Sequence, residues 1–163
     1  MKQPAVVLLV SQPLLQALRD CAAAAYPEEC CGLLVGFDEN AGLLPGVVGK
    51  RVSRVLPTAN RAAMPNRAFE IDPAAHIALL RELRERARGG QGSGEQMLGH
   101  YHSHPDSFPV PSAQDRAQAM EPGALWVIIA AGRDGAGEIR AWQAIGEVGG
   151  LLDFQAVELV SSE

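Results

Sequence analysis

Gly99-His100-Tyr101-His102-Ser103-His104-Pro105, followed by Ser112-Ala113-Gln114-Asp115, decides how this chain is read. Met97 to Tyr101 has the character of a strand. In an extended segment residues i and i+2 share a face, so His102 and His104 can turn both imidazoles to one side at the strand end. Pro105, Pro109 and Pro111 stiffen the connection that follows. Ser112-x-x-Asp115 has the form of a capping box, opening a short helix over 113–120. Each piece alone has an ordinary structural reading: a half-buried histidine pair, and a helix entry. Together they bring two ring nitrogens and a carboxylate to one place. That is the donor set of a catalytic-type zinc site, with three protein ligands and a fourth position left for water. A structural site would more often be closed by four ligands rich in cysteine.

The surrounding chain supplies a frame. Ala5–Val10 is an apolar, β-branched run that suits a first strand. Ser11 can cap a helix over 12–25 whose stripe is Leu14, Leu15, Leu18 and Ala22, ending before Pro27. Cys31–Val35 reads as a buried strand, and with 47–56 it makes a hairpin across the turn residues 36–42. Residues 57–66 read as a loop, and Phe69 and Ile71 as a short strand. Asp72-Pro73 opens a second helix, with Ile77, Leu80 and Leu83 expected as its buried stripe. Its arginine-rich end, Arg81 to Arg88, reads as a solvated face suited to the helix dipole, with a partner-binding patch as the alternative. Residues 89–94 are a glycine-rich connector with no Lys-Ser/Thr after it, so they are not a phosphate loop. Leu125–Ala130 is the most strand-like stretch; 138–145 returns antiparallel to it and 151–160 is a weaker final strand. Strands and helices alternate while hairpins intervene. The expected architecture is α/β with α+β character: a mixed, curved sheet flanked by helices, in a single domain spanning 1–163.

Composition excludes several classes. The 163 residues are 47% hydrophobic, enough for a core without disulfide staples and too apolar for a disordered chain. Fourteen Lys and Arg against 19 Asp and Glu give a net charge of −5, which argues against nucleic acid as a partner. No apolar run approaches a membrane span, and Ala5–Val10 is short for a signal peptide. Cys21, Cys30 and Cys31 form no disulfide pattern, so a reducing cytoplasm is the expected location. The absence of Cys-x-x-Cys also disfavours a zinc nucleobase deaminase.

His102-Ser103-His104-Pro105 with Ser112 and Asp115 at this spacing resembles the JAMM/MPN zinc metalloproteases, and every motif position matches. The segment Pro27-Glu28-Glu29-Cys30-Cys31-Gly32-Leu33-Leu34 is similar to the upstream segment of the bacterial members. The motif core spans 26–145. The resemblance implies a cytidine-deaminase-like JAMM/MPN fold and an amide-bond hydrolase dependent on Zn²⁺. His102, His104 and Asp115 would be the ligands. Glu29, with Glu28 as the runner-up, would take the proton of the attacking water and deliver it to the leaving amine. Ser112 would donate to the oxyanion. The implied substrate is a ubiquitin-like or sulfur-carrier protein with a Gly-Gly type tail, as for the small bacterial members. The alternatives are a non-catalytic MPN scaffold and a peptidase for small peptides or cell-wall fragments. Asn60–Phe69 is a candidate wall of the substrate groove. His100 is either a partner behind the ligands or a hydrogen-bonded core histidine, and His76 reads as surface. Ser103 should point away from the ligands. Trp126 and Trp142 should pack in the core or along the groove.

Overall fold

The computed structural model describes residues 4–40, 42–90, 94–147 and 149–163. Strand β1 (Ala5–Ser11) passes directly into helix α1 (Gln12–Ala25). Ser11 makes that switch by accepting the Leu14 N–H on its hydroxyl at 3.4 Å. The chain then forms β2 (Cys31–Asp38) and β3 (Val47–Thr58), an antiparallel pair, and β3 returns parallel to β1. Helix α2 (Pro73–Arg88) follows, capped by Asp72 through the Ala74 N–H. Next come β4 (Gln96–Pro105), α3 (Ala113–Gln118), β5 (Leu125–Gly132), β6 (Gly135–Ile145) and β7 (Asp153–Ser162). The connector at 89–94 lies partly outside the described residues.

The strand order is β1-β3-β2-β4-β5-β6-β7, and β7 pairs in parallel with β1 to close the sheet on itself. The sheet is mixed, with β4 and β5 also parallel and the remaining pairs antiparallel. The mixed, curved sheet expected from sequence is present, and its closure is an addition to that reading. It depends on β7, whose alternation is weak, finding a partner in β1.

One apolar cluster joins α1, through Leu15, Leu18 and Ala22, to residues of all seven strands, among them Leu8, Leu34, Val52, Tyr101, Val127, Ala141 and Val157. Side chains alternate along a strand, so Leu33 and Val35 face the other way and pack with Leu79 of α2. Covered on both faces, β2 reads as the continuous apolar run seen in the sequence. The expected stripe of α2 is corrected here. Leu79 is the buried residue and Leu83 packs beside it, whereas Ile77 and Leu80 are exposed. The helix meets the sheet along a narrow line, so spacing alone could not identify the buried side. Phe69 and Ile71 form no strand; Ile71 makes a single bridge with Asn60, and Phe69 is buried. Helix α3 stops at Gln118, two residues short of the expected end. Among the described residues no helix is long and apolar enough to cross a membrane.

Candidate functional site

Four ionisable side chains are buried together: Glu29 at 6% exposure, His102 at 0%, His104 at 7% and Asp115 at 2%. Each alone would be unfavourable in an apolar interior, so their common location needs a common reason. Strand β4 runs on through Pro105, which places His102 and His104 on one face of the strand. The strand sits tightly on β5 because residue 99 is glycine. A Cβ there would fall 1.9 Å from the Leu125 carbonyl oxygen.

The loop after β4 is held by its own carbonyls. His104 donates from Nδ1 to the Phe108 carbonyl at 2.8 Å, Trp142 donates from Nε1 to Pro109 at 3.0 Å, and Arg116 donates to Pro111 at 3.0 Å. Asp106 adopts a left-handed φ of 55° and accepts the Tyr26 hydroxyl on its carboxylate at 3.0 Å. The path ends at a reciprocal capping box. Ser112 Oγ accepts the Asp115 N–H at 3.1 Å, and Asp115 Oδ2 accepts the Ser112 N–H at 2.9 Å. The box aims Asp115 at the histidines, with Oδ1 3.1 Å from His102 Nε2 and Oδ2 3.1 Å from His104 Nε2. Capping and site-building are thus the same event. Ser112 sits at the exposed N-cap, and its hydroxyl hydrogen is left free by the bond its oxygen accepts.

Glu29 reaches the site from the segment between α1 and β2. Its N–H donates to the Pro65 carbonyl at 2.7 Å and its own carbonyl accepts Asn60 Nδ2 at 3.0 Å. The next residue is tied to β4, because Cys30 N–H donates to Ser103 Oγ at 2.8 Å and Ser103 N–H donates back to the Cys30 carbonyl at 3.1 Å. Ser103 therefore points away from the face that carries His102 and His104, as expected. The carboxylate of Glu29 lies 4.0 Å from His102 Nε2, and Glu29, His102 and His104 each offer a donor atom within 4.8 Å of the others. Asp115 is closer to both rings than Glu29 is. Glu28 is exposed.

The donor chemistry fits a divalent cation. The two Nε2 atoms are 2.9 Å apart with carboxylate oxygens beside them. Because His104 commits its Nδ1 hydrogen to Phe108, its Nε2 lone pair is directed inward. Imidazole nitrogen with carboxylate oxygen suits zinc-type ions. Among the described residues His102 Nδ1 has no hydrogen-bond partner; its ring is oriented instead by stacking on Phe69, with centroids 4.1 Å apart at 16°. Burial pushes Glu29 up to about 7, with His104 opposing and Asp115 adding to the rise. Burial also pushes Asp115 upward, but the hydrogen bonds from His102 and His104 outweigh it and hold the carboxyl well below the usual range. Burial lowers His102. For His104 burial is outweighed by Asp115 and the Phe108 carbonyl, which raise it.

All five residues singled out from sequence come to one region. The groove wall expected at 60–69 is different in kind. Asn60 and Phe69 turn inward, Asn60 also donating to the Pro65 and Ala68 carbonyls, while Met64 is exposed. Sequence reasoning gave no role to Asn60 in holding Glu29 or to Phe69 under His102. The one available signal was an asparagine in a loop, the residue whose amide best mimics a backbone partner. Of the two readings of His100, the hydrogen-bonded core histidine is not supported at Nδ1, which has no partner among the described residues. Burial pushes it down to about 3 and it is neutral, edge-on to Trp126 with centroids 4.1 Å apart. His76 is half-buried rather than a free surface residue.

A family model described as prokaryotic homologs of the JAB domain matches residues 11–145. The chain belongs to this family. Among its relatives is the desampylase of Haloferax volcanii, 36% identical over 115 residues that cover 71% of each chain. Another is the probable TtuB-protein conjugate cleaving protease of Thermus thermophilus, 32% identical over 114 residues covering 70% of this chain and 64% of that one. The solution structure of a Desulfitobacterium hafniense protein superimposes with a TM-score of 0.72 at 23% identity, covering 96% of this JAB-domain chain and 93% of that one. The JAMM/MPN resemblance read from His102 to Asp115 thus agrees with the family match.

Proposed function

We propose that this JAB-family chain is a metal-dependent peptidase or isopeptidase that cuts the amide bond after the C-terminal tail of a ubiquitin-like or sulfur-carrier protein. The observation carrying the proposal is the convergence of Glu29, His102, His104 and Asp115 in one buried cluster. The names of the relatives, a desampylase and a conjugate cleaving protease, support the substrate class. His102, His104 and Asp115 would hold Zn²⁺. When bound, zinc supplies a Lewis acid and allows water to lose a proton near neutral pH.

The remaining work belongs to the chain. Glu29 is placed as a proton shuttle: fixed by Pro65 and Asn60 with its carboxylate 4.0 Å from His102 Nε2, it accepts a proton from the attacking water and returns it to the leaving amine. Ser112, its hydroxyl hydrogen free, donates to the oxygen that gains charge. Asp115 stays ionised, with one carboxylate oxygen beside each imidazole Nε2. We read 1–163 as a single JAMM/MPN unit of cytidine-deaminase-like layout, working in the cytoplasm.

Metal analysis of the purified protein tests the ligand set. About one zinc per chain is expected, lost in His102→Ala and in Asp115→Ala. Full zinc occupancy in both variants would overturn the assignment. Glu29→Gln should retain the metal and lose hydrolysis; if Glu28→Gln does so instead, the base is Glu28.

A further inference from the structure

The loop between β4 and α3 holds a large apolar side chain out to solvent. Phe108 is 77% exposed, although the backbone around it is pinned at several points. Its own carbonyl accepts His104 Nδ1, the Asp106 N–H donates to the Ala131 carbonyl at 2.7 Å, and Trp142 holds Pro109. A single exposed apolar residue is ordinary on a protein surface. Phe108, however, borders a groove of about 510 Å³ that is lined also by Ala130, Ala131, Gly132 and Gly137. Ala130 pairs with His104 and Ala131 with Pro105 across the β4–β5 ladder, so the groove begins one strand away from the buried cluster. Two of its glycines are not required by the fold. Among the described residues, a Cβ on Gly132 would meet Asp106 Oδ1 alone and one on Gly137 the Ala130 carbonyl oxygen alone, each at 3.9 Å, and neither glycine has a left-handed φ. Their effect is to keep the groove open to a close-lying chain. The charged residue lining it is Asp106, whose carboxylate accepts the Tyr26 hydroxyl and has no cationic partner among the described residues.

We propose that this groove binds an extended peptide segment of apolar and basic character, with one apolar side chain between the Phe108 ring and the glycines and a lysine or arginine beside Asp106. Its place in the reaction rests on the hydrolase reading: the segment is the one that follows the scissile amide. A Gly-Gly type tail brings no side chains, so an aromatic ring and a carboxylate offer it nothing, whereas the departing chain carries side chains for both. Phe108 is then a specificity-determining residue that selects the leaving segment. Because the bond to His104 fixes its backbone, the ring is in place before the segment arrives and little ordering remains to be done on binding.

The probe is the acetylated, amidated tetrapeptide Lys-Leu-Lys-Ala, titrated into the ¹⁵N-labelled full chain while the Gly132 and Gly137 amide resonances are followed. Both should move saturably. Lys-Gly-Lys-Ala, which lacks the apolar side chain, and Glu-Leu-Glu-Ala, which reverses the charge, should each bind the wild-type protein about tenfold more weakly. Phe108→Ala, which keeps the carbonyl that holds His104, and Gly137→Val, which fills the groove, should weaken Lys-Leu-Lys-Ala about tenfold apiece. The peptide controls need no variant and stay decisive if either substitution unfolds the chain. In a cleavage assay, a ubiquitin-like carrier extended by Lys-Leu-Lys-Ala should be cut about tenfold more efficiently, through KM, than one extended by four glycines, and Phe108→Ala should abolish that preference. No binding, equal binding of the three peptides, undiminished binding in both folded variants, or cleavage without preference would overturn the proposal. Binding with no cleavage of either carrier would support the groove and contradict the hydrolase reading alone.

Discussion

Removing the charge of Glu29 should stabilise the metal-free protein, and only at the pH where that charge exists. Burial raises Glu29 from 4.5 to about 7 in the folded chain. Between those values the folded state keeps a proton that the unfolded chain has lost, so stability falls as pH rises, by about 1.4 kcal/mol per pH unit. The full interval is worth about 3 kcal/mol, reached near pH 7 and constant above it. Glutamine has the same shape and no charge. Urea unfolding of chelator-treated wild type and Glu29→Gln at pH 5, 6, 7 and 8 isolates the effect, because His102, His104 and Asp115 titrate in both. The gap in favour of the variant should open across this range. Added zinc should narrow it, since a dication beside the carboxylate offsets its buried charge. A gap that does not change with pH, or a wild type more stable than the variant at pH 8, would refute the reasoning that Glu29 is held at the site against its own preference for water.

Other consequences follow from particular contacts. Asn60→Ala removes the donors to the Glu29, Pro65 and Ala68 carbonyls; zinc content should persist while turnover falls at least tenfold, and unchanged turnover would show that Glu29 needs no such support. Leu79→Ala should destabilise the fold by about 2–4 kcal/mol, whereas Ile77→Ala, at an exposed position, should stay within about 0.5 kcal/mol; denaturant midpoints compare them. Glu95 is held below its ordinary 4.5: burial opposes, but the Ser53 hydroxyl and Arg54 outweigh it, with Arg86 assisting. Its contribution is present above that value and lost as pH falls through the lowered one, so the stability deficit of Glu95→Gln should be evident at pH 7 and vanish in acid.

The proposed ligand set was legible because its geometry is local. Residues 102 and 104 are on one strand face whatever the strand packs against, and the capping box fixes Asp115 relative to Ser112 within a single turn. Glu29 was legible only by resemblance, since its approach to His102 is made by long-range bonds from Pro65, Asn60 and Ser103 that no spacing encodes. The same limit explains the mistaken α2 stripe. Helical periodicity offers several candidate faces, and only the position of Leu33 and Val35 selects Leu79. Closure of the sheet by β7 on β1 joins the two ends of the chain, a pairing that alternation within β7 alone does not specify.

The most direct measurement is the intact mass of a ubiquitin-like carrier bearing a C-terminal peptide extension, after incubation with the zinc-loaded protein. Loss of the extension's mass, with cleavage immediately after the carrier tail, abolished both by chelation and by Glu29→Gln, is the result this account predicts. An unchanged mass with fully zinc-loaded wild type, or cleavage by Glu29→Gln at the wild-type rate, would contradict it.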